Sequence, residues 1–203
     1  SLYELYYLTG ERWFQEVGLM SSEFAMAYWG KGALRNIAHG IWGVLSGYQD
    51  THESRYLDRA KFFVDAWARP WQDEHGGSFD DQLWMYGLQF EAYDKYFRLT
   101  GDRDTARYNV KAVDAAIAEE DGDGKWKKGG ARSGICLAGY GYAYDYTGDA
   151  KYLEYGLEVL ERTTDAAGDR VKTFAQQFRA SPYFLKVLTV DYKPQRILTE
   201  ESS

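Results

Sequence analysis

Apolar residues recur at helical spacing along most of the chain, and the pattern is clearest between Asp80 and Ile117. The first part of this stretch is rich in large aromatic and aliphatic residues, and the second part carries one apolar stripe. Leu99-Thr100-Gly101-Asp102 separates them. Gly101 suits the left-handed residue that ends a helix, and Asp102 or Asp104 suits the cap of the next one. The pattern therefore predicts a helical hairpin here, with a positive φ at Gly101.

Similar corners recur elsewhere in the chain at Leu8-Thr9-Gly10-Glu11 and Tyr146-Thr147-Gly148-Asp149, with a looser version at Leu45-Ser46-Gly47-Tyr48. The corner glycines are 37, 54 and 47 residues apart, too long and too irregular for a tetratricopeptide repeat. Helices after a corner have one apolar stripe, whereas those before a corner are apolar on several faces. We therefore predict an all-α fold of stacked helical hairpins, with an inner and an outer helix layer.

The predicted boundaries follow from these patterns. The outer helices are expected at about 11–20, 54–68, 104–118 and 150–164, and the inner ones at 33–45, 81–98, 134–146 and 174–188. The last is expected to be interrupted at Ser181-Pro182. Residues 1–192 should form a single domain, with an irregular tail over 193–203. At residue level we expect Phe90, Ala138 and Gly141 to be buried, and Lys61, Arg107 and Glu158 to be exposed.

The connections between hairpins are much longer than the corners. Residues 21–31, 69–80 and 119–133 form stretches of about ten residues or more that mix aromatic, charged and glycine residues. Because stacked antiparallel hairpins place all corners at one end, these loops should converge at the other. Functional residues usually lie on such loops, so we expect the functional face there.

Composition narrows the function classes. The 203 residues include 18 Tyr and 7 Trp, and the net charge of −7 argues against a nucleic-acid phosphate binder. No run of eighteen apolar residues is present, which predicts no membrane span. The lone Cys136 excludes an internal disulfide and a cysteine zinc site, and it should pack as a small apolar residue.

The corner motifs resemble a known family. The segments that carry the likeness are Leu5 to Gly10, Tyr96 to Asp102, and Tyr144 to Asp149 followed by Lys151-Tyr152-Leu153. They resemble the (α/α) toroids of the six-hairpin glycosidase-like superfamily, which includes polysaccharide lyases, glycoside hydrolases and sugar epimerases. The likeness covers about residues 2–190. Because a closed barrel has more helices than the roughly nine predicted here, it implies a C-terminal part of a barrel or an open array.

The resemblance implies a polysaccharide or oligosaccharide partner and favours an extracellular or periplasmic location. Arg35 and His39 lie one turn apart on an inner helix. In a lyase such a pair could serve as the charge that neutralises a uronate carboxylate and as the base. The alternative is a histidine that is hydrogen-bonded within a helix bundle.

Asp80 and Asp81 are the second catalytic candidate. Hydrolytic toroids use paired carboxylates as acid and base. The alternative is that these residues cap the following helix and interact with its dipole. No cofactor is predicted. Asp121 and Asp123 could ligate calcium, but Lys125 stands where the calcium-loop pattern has a third acid, so a polar turn is the simpler interpretation.

Aromatic and basic residues near the loops are candidates for substrate binding. Flat aromatic rings stack on the apolar faces of sugars, and the alternative is that they fill the core beneath the loops. Arg132 and Arg179 could bind carboxylates of an acidic glycan, or form surface ion pairs instead. The aromatic candidates are Trp29, Trp71, Trp84 and Trp126, with Phe79 and Tyr183 nearby.

Two functions compete at this point. One is a catalytic portion of a polysaccharide-degrading enzyme, either a lyase or a glycoside hydrolase. The other is a non-catalytic module that binds glycan or protein within a larger secreted or surface protein. An intracellular repeat scaffold has the least support, because the period does not match the common scaffolds.

Overall fold

The computed structural model describes residues 2–28, 32–79, 83–119, 134–167, 171–189 and 191–199. Every regular element in these ranges is helical and none is a strand, which confirms the all-α prediction. None of the described helices is long and apolar enough to cross a membrane. The helices are α1 (Leu2–Thr9), α2 (Arg12–Tyr28), α3 (Leu34–Thr51), α4 (Ser54–Phe63), a π-helical segment (Val64–Ala68), α5 (Arg69–Glu74), α6 (Leu83–Thr100), α7 (Arg103–Ala118), α8 (Leu137–Thr147), α9 (Lys151–Ala167) and α10 (Val171–Val187).

The chain divides into two compact units, Ser1–Trp71 and Gln72–Ser203. In the first, α1 packs against α2, α2 against α3, and α3 against α4 and the π-helical segment. In the second, α6 packs against α7 and α8, and α8 also contacts α7, α9 and α10. Consecutive helices thus form hairpins in both units. The single domain predicted over residues 1–192 stays a prediction.

Four corners join consecutive helices, and they share one hydrogen-bond pattern. A Thr hydroxyl donates to the carbonyl four residues earlier at 2.6–2.8 Å and accepts the N–H two residues later at 3.1–3.2 Å. The residue after the Thr has a φ of 58 to 73°, and its N–H bonds back to another helix carbonyl at 2.7–2.8 Å. These bonds satisfy carbonyls that a helix end leaves unpaired. The corners are Thr9-Gly10, Thr51-His52, Thr100-Gly101 and Thr147-Gly148.

One predicted corner is wrong. Gly47 lies inside α3, which continues to Thr51, and His52 takes the left-handed position instead. Gly47 serves close packing, because a Cβ there would meet the Ser22 Cβ at 2.9 Å and the Tyr56 ring at 3.0 Å. With His52 in its place, the corners lie 42, 49 and 47 residues apart, which is more even than predicted.

The other corner predictions are confirmed. Gly101 and Gly148 both have a φ of 72°. Asp102 caps α7, accepting the Asp104 N–H at 3.1 Å. The corners therefore form from their own sequence, with each bond closed within a few residues.

Several helices are longer than predicted. Helix α2 extends to Tyr28, so most of the expected connection 21–31 is helical. Residues 54–74 are continuously helical and pass through Pro70, although the helix was predicted to end before it. Just before this proline the backbone widens, and the Arg69 N–H bonds to the Val64 carbonyl five residues earlier. A π-turn of this kind accommodates the bond that proline cannot make. The predicted interruption at Pro182 is also wrong, because α10 continues through it while residues on both sides pack into the unit.

Burial in the second unit follows the predicted layers only in part. Helices α6 and α8 bury residues on most sides, and Phe90, Ala138 and Gly141 are buried as predicted. Glu158 is exposed as predicted, as is Lys61 in the first unit, whereas Arg107 is half-buried. Arg107 lies along α7 and pairs with Asp104 at 2.6 Å, which covers part of its side chain. Helix α10, predicted as an inner helix, is buried on one face and exposed on the other.

The C-terminal segment 191–199 contains no helix, yet it is tied to the end of α8. The Arg196 N–H donates to the Asp145 carbonyl at 2.8 Å, and the Leu198 N–H donates to the Tyr146 carbonyl at 3.0 Å. The last carbonyls of a helix lack partners within it, so this segment supplies them. Sequence periodicity gave no sign of this docking.

Candidate functional site

Three charged side chains lie on one face of α6, a helix otherwise dominated by aromatic and aliphatic residues. Glu91, Asp94 and Arg98 are spaced at i, i+3 and i+7, which places them on the same side of the helix. Glu91 is only 8% exposed and Asp94 only 7%. Buried charges require partners, and here α8 and α10 supply them. The group consists of Glu91, Asp94, Arg98, Tyr142, Asp145, Tyr146, Arg179, Tyr183 and Tyr192, and is called the acid–tyrosine cluster below.

Two arginines pair with the α6 carboxylates. The Arg98 Nε lies 2.8 Å from both oxygens of Asp94, and its Nη2 donates to the Tyr183 hydroxyl at 2.8 Å. Arg179 on α10 reaches Glu91 with two N–H groups, one of them at 3.2 Å. The contact of Arg179, with two N–H groups on the two oxygens of one carboxylate, is the strong form of an arginine–carboxylate pair. The side chain of Arg179 is about half exposed, so this pair borders solvent.

Asp145 on α8 is the acceptor at the centre of the cluster and is fully buried. It accepts the Tyr192 hydroxyl at 2.7 Å, the Tyr183 hydroxyl at 3.0 Å and the Gln195 N–H at 3.0 Å. The next residue on α8, Tyr146, donates to Asp94 at 2.6 Å. The cluster therefore links α6, α8, α10 and the C-terminal segment by direct hydrogen bonds.

Burial perturbs the acid–base properties of the cluster. Desolvation raises the pKa of Glu91 and of Asp94, and this effect outweighs the arginines that lower it. Burial is also the main cause that raises the pKa of Tyr142, and the charges of Asp94 and Glu91 raise it further. The Tyr142 ring lies 4.5 Å from that of Tyr183. Burial thus disfavours the charged form of both neighbouring carboxyls.

A second polar group joins the end of connection 69–80 to the start of connection 119–133. The Ser78 hydroxyl donates to the Glu119 carboxylate and lies 2.6 Å from the Tyr86 hydroxyl. Tyr86 donates to Glu119 at 2.8 Å and accepts the Phe79 N–H at 3.1 Å. Burial raises the pKa of Tyr86 to about 12. Ser78 and Phe79, near the end of connection 69–80, thus meet Glu119, the first residue of connection 119–133. The rest of that second connection lies outside the described residues, so the convergence of the long loops stays a prediction.

The predicted site residues are distributed over both units. Arg35 is exposed and His39 half-buried on α3 of the first unit, where they are one turn apart as predicted. Trp71 is half-buried on α5, and Trp84 is half-buried on the first turn of α6 in the second unit. Trp29, Asp80, Asp81, Trp126, Arg132, Asp121 and Asp123 lie outside the described residues.

No group of three or more His, Cys, Asp or Glu residues in the described ranges could hold a metal ion. Cys136 is buried as predicted, and its thiol donates to the Leu83 carbonyl at 3.2 Å. Burial raises the pKa of this thiol, which keeps it protonated and unreactive.

Sequence reasoning named Arg179 and Tyr183 as possible glycan contacts, but it missed Glu91, Asp94 and Asp145. One signal was available: acidic residues occur in helices predicted to be buried on several sides, and buried acids need partners. In comparisons with known proteins, no family model, no curated protein and no solved structure matches this chain.

Proposed function

We propose that the chain is a carbohydrate-active helical domain, part of a polysaccharide-degrading enzyme, and that the acid–tyrosine cluster supplies its acid–base chemistry. The observation that carries the proposal is the pair of buried carboxyls, Glu91 and Asp94, on adjacent turns of α6 with raised pKa. Glycoside hydrolysis needs one carboxylic acid to protonate the leaving oxygen and one carboxylate to act as base or nucleophile. Hydrolysis is therefore the reaction that these residues suit best.

The surroundings of the two carboxyls assign them different roles. Asp94 is held by Arg98 and by the Tyr146 hydroxyl, and both favour its charged form. Glu91 pairs with Arg179, whose side chain borders solvent. Glu91 is then the general acid, and Asp94 is the charged partner.

The same side of the cluster carries groups that suit a glycan. The half-buried ring of Tyr183, which packs on the buried Tyr142, offers apolar surface for a sugar ring, and Arg179 suits a substrate carboxylate. A lyase mechanism through Arg35 and His39 is the alternative chemistry implied by the resemblance to toroids.

A second candidate function is a non-catalytic glycan-binding module. It is favoured by the complete hydrogen bonding of Asp145, whose two oxygens accept from two tyrosines and a backbone N–H. Saturated networks of this kind often serve to fix the packing of helices. In that case the cluster is structural and glycan binding uses only its aromatic and basic rim.

The test is the turnover of a panel of neutral and uronate-containing glycans. New reducing ends report hydrolysis, and ultraviolet absorbance of unsaturated uronates reports elimination. Glu91→Gln should lower hydrolysis on the order of 100-fold or more, the usual contribution of a general acid. Glu158→Gln on α9 is the matched control, because it makes the same change at an exposed site.

Circular dichroism must show that both variants keep the wild-type helix content. Full activity in a folded Glu91→Gln protein would exclude the proposed site. Elimination products that disappear with His39→Ala would point to the lyase chemistry instead. Glycan binding without any turnover by the wild type would leave the non-catalytic module as the function.

A further inference from the structure

Large apolar side chains exposed to solvent are concentrated on three helices. Apart from Phe62 and Leu157, every large hydrophobic residue found exposed in the described ranges lies on α1, α2 or α10. Scattered exposed apolar residues are ordinary, but contiguous ones mark interaction surfaces. These helices therefore carry faces suited to a partner.

The fully buried positions of helix α2 are small residues, and four of its large apolar residues are exposed. A Cβ on Gly18 would meet the Tyr3 ring at 3.0 Å, and the Ser22 hydroxyl lies 3.0 Å from that of Tyr3 and donates to the Gly43 carbonyl at 2.9 Å. Ala25 is fully buried on the same side. The small residues thus allow close approach within the unit, and large apolar residues remain exposed on the outer face. The large exposed residues, called the α2 seam, are Trp13, Val17, Met20 and Phe24.

The spacing of the α2 seam is informative. Its members are four, three and four positions apart, the narrow pattern by which one helix packs along another. A helix facing a globular core has a wider stripe. The seam is therefore typical of a helix–helix contact with a separate partner.

Helix α10 also has two apolar faces. Ala180, Phe184 and Val187 are buried in the second unit. The opposite face repeats every seven residues, and the rings of two of its members stack with centroids 6.0 Å apart. This exposed face, called the α10 seam, consists of Val171, Phe174, Phe178 and Leu185.

The α10 seam is somewhat longer than the α2 seam, and the two differ in charge. At 1.5 Å per residue, the α2 seam spans about 16 Å and the α10 seam about 21 Å. Around the α2 seam the exposed acids Glu4, Glu11 and Glu16 outnumber the exposed Arg12, whereas α10 contains no acidic residue and exposes Arg179 and Lys186. Contact between unlike seams brings opposite charges together, and contact between two α10 seams brings like charges together.

We propose that the α2 seam of one copy packs against the α10 seam of a second copy, so that chains associate head to tail. A contact between two different faces is heterologous and leaves one free seam at each end of the assembly. It therefore continues into a ring or a longer row, whereas a two-fold contact stops at a dimer. This difference makes the proposal directly testable.

The test uses sedimentation velocity and light scattering of the purified chain over a range of concentrations. Met20→Glu blocks the α2 seam and Phe178→Glu blocks the α10 seam; both residues are about 70% exposed, so the fold should tolerate the change. Leu157→Glu is the matched control, because it places the same charge at an exposed apolar site outside both seams.

Wild type and Leu157→Glu should form species larger than the 23.3 kDa monomer, and each seam variant alone should be monomeric. An equimolar mixture of the two seam variants should double the monomer mass and go no further, since each supplies the seam that the other lacks. Self-association of Met20→Glu alone would overturn the proposal in favour of a two-fold α10 contact. A wild type that is monomeric throughout, or that binds lipid vesicles only through these seams, would also overturn it.

Discussion

The four corners differ at one equivalent position, and this permits a test with opposite signs. Three corners place glycine at the left-handed residue, and the fourth places His52 there with a φ of 58°. A Cβ added at Gly101 would have nothing within 4 Å, so Gly101→Ala introduces no steric clash. Any loss of stability must then come from backbone conformation. His52→Gly makes the reverse change at the equivalent site.

The magnitude follows from two opposing terms. A left-handed conformation costs a non-glycine residue roughly 1–2 kcal/mol. Replacing glycine by alanine also restricts the unfolded chain, which returns about 0.4–1 kcal/mol. We therefore expect Gly101→Ala to lower the free energy of unfolding by about 1 kcal/mol, a melting-temperature decrease of about 3 °C. His52→Gly should raise it by about 0.5 kcal/mol, because relief of strain exceeds the added entropy of glycine.

The assay is urea unfolding followed by circular dichroism at the helix signal. Gly32→Ala is the matched control, because Gly32 does not have a positive φ and its Cβ would meet only the Asn36 amide at 3.4 Å. That variant should be neutral or slightly stabilised. A Gly101→Ala protein with the wild-type urea midpoint would refute the account of the corner, as would a destabilised His52→Gly.

Three further predictions concern the second unit. Asp145→Asn should lower the free energy of unfolding in urea by about 2–3 kcal/mol, because buried donors lose a charged acceptor. Since Tyr192 and Gln195 of the C-terminal segment are among these donors, trypsin should also cleave after Arg196 faster than in wild type. Equal cleavage rates would contradict this. Tyr86 has a folded pKa of about 12 against 10 in the unfolded chain, so its contribution to stability is complete below pH 10 and is lost between pH 10 and 12. The free energy of unfolding of wild type relative to Tyr86→Phe should therefore fall by about 2 kcal/mol across that range. A difference that stays constant with pH would exclude this raised pKa. Gly87→Ala should destabilise the protein by about 2–3 kcal/mol, seen as a lower melting temperature, since the added Cβ would lie 2.4 Å from the backbone oxygen of Ile135. An unchanged melting temperature would show that α6 and the backbone at Ile135 can move apart without cost.

The local sequence determined the helices and most of their ends. Thr100-Gly101-Asp102 contains all the groups its corner uses: a hydroxyl, a residue free to take a positive φ, and a capping carboxylate. Apolar spacing likewise located α6 to α9 to within a few residues. These features are predictable because their hydrogen bonds close within about four residues, so spacing alone specifies them.

Tertiary structure decided what the sequence pattern could not. His52 lacks the glycine signature, and its corner is recognised only by its φ and its bonds. Pro70 and Pro182 were expected to end or interrupt helices, but packing on either side keeps those helices intact. Local propensity is a weak constraint when the neighbouring turns are buried.

The candidate site shows the same division. Arg179 and Tyr183 could be named from residue type, but their partners could not. Arg179 meets Glu91 across 88 positions, and Tyr183 meets Asp145 across 38. Such pairings depend on how helices cross and on their relative register, and no short spacing records either. The sequence by itself thus determined a series of helical hairpins, whereas packing alone decided which acids are buried, which tyrosines meet them, and that α2 presents four large apolar residues to solvent.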